Sequence, residues 1–242
     1  MFNFKIENQT DYEEFVSYLL SISKNESIED KKRHEAIINT KQKVIAISMA
    51  NIRKTAKQIF KNGYEKFLEI GLGRSFEDEF YEETLIQGLV VAEIKDLEKQ
   101  KVFFEIWVKK IDNWSTCDST TSSFKKIKMD EVYFDWLYKK CFEKEEFVSR
   151  FGITMLMNHY IDKEHLNKLF EMCEMVKSEY YYIKMAKAWL LSYCFMKFRN
   201  ETLEFLKRNT LDKFVHNKTI SKCRDSYQIS IEDKELLKTI RK

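Results

Sequence analysis

The chain of 242 residues contains no proline and only five glycines. Proline punctuates loops and strand edges, and glycine supplies the positive-φ positions of tight turns. A chain short of both has few means of building the corners of a sandwich or barrel. It predicts long helices joined by short polar connections. Charged residues at 33% and hydrophobic residues at 44% exclude a disordered chain and fit a globular one with a sizeable core.

The apolar residues agree. Phe147, Phe151 and Met155 stand four apart, and Ala186, Trp189, Leu190, Tyr193 and Cys194 follow the spacing of one helix face. Strict alternation never persists. An internal repeat is visible as well: EEFVSRFGITMLMNHYI (145–161) aligns with EYYYIKMAKAWLLSYCF (179–195), and more weakly with DKFVHNKTISKCRDSY (212–227). Arg150, Lys184 and Lys218 occupy one repeat position at intervals of 34 residues. A period of that size marks stacked helix pairs, each burying its apolar face only against its neighbours. The expected fold is therefore all-α, an α-α superhelix (solenoid) of antiparallel helix pairs. Polar clusters at 23–32, 115–123 and 198–201 read as connections. None has the length of an interdomain linker, so residues 1–242 are expected to form a single domain.

Five widely spaced cysteines without a CxxC pair fit neither a disulfide framework nor a zinc site, which makes the cytoplasm the default compartment. The opening MFNFKIENQTDYEEF has no basic-then-apolar leader, and no apolar run approaches the ~20 residues of a membrane span. Net charge is only +3, from 42 basic and 39 acidic side chains, so a nucleic-acid surface requires uneven placement. The repeat offers one. Arg150, Lys184 and Lys218, recurring near the start of one helix in each successive pair, would line one surface. Such a row suits an extended polyanion, each cation displacing a counterion from a phosphate. The same residues also read as solvated helix-face charges or partners of local carboxylates.

For chemistry, the segment KKIDNWSTCDS (109–119) stands out. Trp114 and Asp118 lie four apart where a helical pattern runs into a Ser/Thr-rich stretch. Structural readings exist for both: Trp114 covering the core, and Asp118 as the N-cap of a helix starting at TTSSFKK. Other signals are weak. GLGR (71–74) lacks the strand–glycine–helix context of a phosphate loop and reads as a turn. His159 and His165, six apart, do not make a metal pair, and the aromatics of KMDEVYFDW sit at core spacing.

Taken in order, YEETLIQGLVVAEIK (81–95), KKIDNWSTCDS, EEFVSRFGITMLM (145–157), YYIKMAKAWLLSYCFMKF (181–198) and LDKFVHNKTISKCRDSY (211–227) resemble the AlkD-type DNA alkylation repair proteins, a HEAT-like-repeat superfamily of DNA glycosylases. The resemblance spans roughly residues 35–230, and Trp114, Asp118, Arg150 and Trp189 match positions of that family's active cleft. It implies a monomer that binds alkylated or distorted double-stranded DNA in a concave basic cleft, associated with the nucleoid when bound. It further implies hydrolysis of the N-glycosidic bond of cationic N3- or N7-alkylated purines, with no cofactor and no metal. On that pattern Asp118 faces the sugar, Trp114 and Trp189 pack against the deoxyribose and backbone, and Arg150, Lys184 and Lys218 hold phosphates.

The N-terminal region departs from the pattern. Before INTKQKVIAISMANIRK (38–54) stand only one convincing helix, DYEEFVSYLLSIS, and a charged segment, SIEDKKRHEAI. The family's usual glycine and proline near this point are replaced by Ala46 and Ala50. The chain thus resembles a shorter branch of the family, with a reduced DNA-gripping region. Two further expectations follow: a non-catalytic DNA-structure-binding protein that kept the cleft residues, and a helical scaffold for a protein partner. Joint retention of Trp114, Asp118, Arg150 and Trp189 counts against the scaffold.

Overall fold

The computed structural model describes residues 4–23, 28–124 and 131–242. Helix accounts for 73% of the described residues, and no strand forms among them. The chain divides into two compact units, Met1–Ile127 and Lys128–Lys242.

In the first unit, α1 (Gln9–Ile22), α2 (Ile28–Ile38), α3 (Met49–Asn62), α4 (Glu65–Leu72), α5 (Tyr81–Ala92), α6 (Leu97–Trp107) and α7 (Trp114–Thr121) follow one another. Every residue of α5 is buried, with α3 on one side and α7 on the other. Gly88 permits this: a Cβ there would lie 2.2 Å from the Trp107 ring, whose Nε1 donates to the Thr84 carbonyl at 2.8 Å. Helix α1 is part of the same core. Its Tyr12, Phe15 and Leu19 are fully buried, and Tyr12 and Phe15 pack on Phe67 of α4.

The second unit holds α8 (Glu131–Lys140), α9 (Glu146–His159), α10 (Leu166–Met175), α11 (Tyr181–Lys197), α12 (Arg199–Arg208), α13 (Lys213–Asp225) and α14 (Ile231–Thr239). The three repeat copies are α9, α11 and α13, and α11 packs between the other two. Gly152 brings α9 against the end of α8, where a Cβ would lie 2.8 Å from the Cys141 amide nitrogen and 2.9 Å from the Leu137 carbonyl oxygen.

Polar contacts record the repeat too. Lys99 pairs with Glu65 at 2.9 Å, His165 with Glu131 at 2.8 Å, and the Arg199 Nε with Asp233 at 2.8 Å, each partner 34 residues away. Tyr81 and Ser115 share a hydroxyl–hydroxyl bond at the same separation. One structural unit therefore binds the equivalent place in the next, as stacked repeats do.

The scarcity of glycine has a counterpart at helix C-termini, where a glycine commonly helps satisfy the last carbonyls. Here buried side chains donate instead. Gln100 Nε2 reaches the carbonyls of Val91, in the last turn of α5, and of Ile94 just after it, at 3.1 and 2.8 Å. Lys187 Nζ reaches Cys173 and Val176 at the end of α10, and Asn209 Nδ2 reaches Phe205 and Leu206 in α12. Lys110 Nζ donates to the Gly71 carbonyl in α4 while pairing with Glu79 at 2.6 Å.

Three boundaries differ from expectation. Residues 115–121 are not a connection but most of α7, because Asn113 caps the helix and Thr116, Cys117, Thr120 and Thr121 bury one face. The supposed link at 23–32 already contains the start of α2 at Ile28, whereas that at 198–201 shrinks to the break at Phe198 between α11 and α12.

Candidate functional site

The Trp114–Asp118 turn is set by the two residues before it. Asp112 accepts from the Thr40 hydroxyl at 2.8 and 2.9 Å and from the Lys41 amide at 2.6 Å, fixing the chain to the segment after α2. Asn113 accepts from the Thr116 amide at 2.8 Å and so starts α7. Trp114 is then the first helical residue and Asp118 follows one turn later, which puts both on one face. The Trp114 Nε1 donates to the Ile37 carbonyl at 3.1 Å, and both side chains are half-buried. Asp118 is not an N-cap, because it lies inside α7 and Asn113 holds that position. The final lysines of TTSSFKK lie outside the described residues.

Beside this turn is a cavity of about 520 Å³ lined by His34, Ile38, the segment Ile47–Met49, Tyr81, Glu82 and Ser115, among others. The N-terminal ends of α3, α5 and α7 all reach it. Glu82 closes part of its wall. Buried at 1% exposure, it accepts from the amides of Ile45, Ala46 and Ile47 at 2.9, 2.7 and 3.3 Å. Burial raises its pKa above the ordinary carboxylate range, opposed by those three backbone donors. To present consecutive amides to one carboxylate, Ala46 takes φ = 67°, in the left-handed region.

In the second unit Arg150, Lys184 and Lys218 sit in the N-terminal halves of α9, α11 and α13. Their environments differ. Arg150 is only 5% exposed; its Nη1 donates to the Tyr182 carbonyl at 2.8 Å and its guanidinium lies 5.7 Å from the Tyr182 ring centre. Glu146 accepts from the Tyr182 amide at 2.8 Å, so the starts of α9 and α11 are bound together. Lys184 pairs with Glu179 at 2.7 Å, which raises its pKa chiefly through that hydrogen bond, and Lys218 is half-buried.

Trp189 lies half-buried at the midpoint of α11. It forms one wall of a groove of about 760 Å³ over the C-terminal ends of α9, α11 and α13. Tyr193 stands against it edge to face, with ring centres 6.1 Å apart, and Lys222 Nζ lies 5.5 Å from the Trp189 ring centre. Sequence reasoning did not select Asp112, Asn113, Tyr193 or Lys222. The last two were visible as residues one turn beyond Trp189 and Lys218. The anchoring role of Asp112 depends on a contact 72 residues away in sequence.

Among the described residues no cluster of His, Cys, Asp and Glu is arranged to hold a metal ion, and no helix is long and apolar enough to cross a membrane. All five cysteines are buried free thiols. The chain matches the family model described as DNA alkylation repair enzyme over residues 19–226. No curated protein matches it significantly.

Proposed function

The chain belongs to the DNA alkylation repair enzyme family, and from that premise we propose that it is a glycosylase releasing cationic N3- or N7-alkylated purines from double-stranded DNA. A base that already carries positive charge is a good leaving group and needs no general acid. The remaining task is to stabilise the oxocarbenium-like sugar as the C1′–N bond lengthens, and to position water. Preorganised charge aimed at developing charge usually lowers such a barrier more than any other single effect. Asp118 supplies the carboxylate. Trp114 and Trp189 pack their faces against the deoxyribose and backbone, where π density favours a developing cation. Arg150 holds a phosphate beside the lesion through a guanidinium steadied by the Tyr182 carbonyl. Lys184 and Lys218 extend the phosphate contacts. On this reading residues 1–242 act as one HEAT-like-repeat domain and the protein works as a monomer at the nucleoid.

The observation that carries the proposal is the pairing of Trp114 and Asp118 on successive turns of α7, anchored by Asp112 and Asn113, within the span matched by the family. The test is release of 7-methylguanine from duplex DNA. Asp118→Asn keeps the shape and deletes the charge, and is expected to cut the rate about a hundredfold or more. Affinity for undamaged duplex is expected to hold or rise slightly, because a carboxylate near phosphates repels them. Equal rates for wild type and the Asn variant would remove Asp118 from the chemistry.

One observation favours a second reading, a DNA-structure-binding protein without turnover. The apolar face of α1 is spent on the core of its own unit. It therefore offers no separate apolar grip on a lesion. Under that reading wild type binds DNA and releases nothing.

A further inference from the structure

The groove over the C-terminal ends of α9, α11 and α13 has the chemistry of a site for one nucleotide. We propose that it accepts a single unpaired nucleotide, its base against Tyr193 and Trp189 and its phosphate on Lys197 and Lys222. The proposal rests on the DNA-binding reading above and goes beyond it, since removal of an already cationic base requires no base pocket.

The volume of about 760 Å³ falls within the range of ligand pockets, roughly 300–1,000 Å³, and accommodates one nucleotide. Two aromatic rings at an interplanar angle of 80° form a corner. Tyr193, 41% exposed, supplies the face for a flat base, while Trp189, one face covered by Lys222, makes the perpendicular wall. Every base has a π face, so this contact is indifferent to sequence. Lys222 and Lys197 bring two positive charges, and the groove also holds the carboxylate of Asp225. Helix C-termini carry partial negative charge and unpaired carbonyls, which favour donors over anions. The division of labour follows. The lysines take the phosphate, and Asp225 together with the helix ends takes the amino-bearing edge of adenine, cytosine or guanine.

Two sources offer this chemistry: a nucleotide extruded from duplex DNA and a free mononucleotide. Fluorescence anisotropy would compare a perfect duplex with the same duplex carrying one bulged adenosine, and equilibrium dialysis would measure dAMP binding. For wild type, the bulged duplex is expected to bind about tenfold tighter, the scale of one base stacked on an aromatic ring. Tyr193→Ala, a change at an exposed position, is expected to erase that preference while leaving perfect-duplex affinity intact. Asp225→Asn should reduce the advantage of a bulged adenosine over a bulged thymidine. Equal wild-type affinity for bulged and perfect duplex, without dAMP binding, overturns the pocket but leaves DNA binding standing. Failure to bind any duplex removes the DNA reading; the pocket then stands only on Tyr193-dependent dAMP binding and falls without it. A bulge preference that survives Tyr193→Ala also overturns it.

Discussion

At the residue scale, Ala46 joins the sequence to the site. Its replacement of a glycine expected from the family resemblance was legible in the sequence, but the reason glycine suits the position was not. The backbone there adopts φ = 67° so that three consecutive amides converge on Glu82. An L side chain in that region costs roughly 1–2 kcal/mol, while glycine gives back part of the gain through the entropy of the unfolded chain. Ala46→Gly is therefore expected to stabilise the protein by about 0.5–1 kcal/mol, raising Tm by roughly 1–4 °C. Ala50→Gly, the same exchange inside α3, is expected to lower stability. Thermal unfolding of both variants checks the pair, and a fall in Tm for Ala46→Gly would remove the strain argument. Asp118 shows the opposite case. Its identity stood in the sequence, while its setting, mid-helix beyond an Asn113 cap, depends on Asp112 reaching back to Thr40 and Lys41. Local spacing cannot disclose an anchor that distant.

Among the elements, α9 and α11 were the most legible, because they share one pattern of aromatic, base and small residue, of which α13 keeps the base, Lys218. Helix α7 was the least legible. Its WSTCDSTT is rich in residues that favour turns and caps over helix interiors. Burial of Thr116, Cys117, Thr120 and Thr121 against the fully buried α5 overrides that preference. The means of ending helices was also hidden. With no proline and five glycines, the chain satisfies several final carbonyls with side chains from nearby segments, and composition alone does not say which side chains serve. Gln100 is the cleanest case, fully buried and uncharged. Gln100→Met keeps the volume and strips the donor from the Val91 and Ile94 carbonyls. The Val91 carbonyl keeps the Ile94 amide at 3.1 Å, so the Ile94 carbonyl alone is left unmet, and a loss of roughly 1–3 kcal/mol is expected in urea unfolding. A variant as stable as wild type would show that the Ile94 carbonyl finds another partner.

For the whole molecule, the near balance of 42 basic and 39 acidic side chains limits what long-range attraction can do. At physiological salt, screening reduces charge effects beyond about 8 Å, so DNA affinity must come from cations placed against phosphates. The three repeat positions proposed for that role are not equivalent. Arg150 is buried and bound to Tyr182, so Arg150→Ala also disturbs packing between α9 and α11, and its effect on DNA has to be read against a measured loss of stability. Lys184 and Lys218, less buried, are the cleaner reporters. Each Lys→Ala change is expected to weaken binding to any duplex sequence and to lower the log–log salt slope by about one unit. Glu179 provides the reciprocal test. It holds the Lys184 ammonium at 2.7 Å, so part of that charge is already compensated before DNA arrives. Glu179→Gln should release it, raising affinity at low salt and steepening the slope, and the gain should vanish in the Lys184→Ala background. If affinity and slope stay unchanged in the Lys184/Lys218 double variant, the row is a set of ordinary helix-face charges, and the phosphate contacts lie elsewhere on the protein.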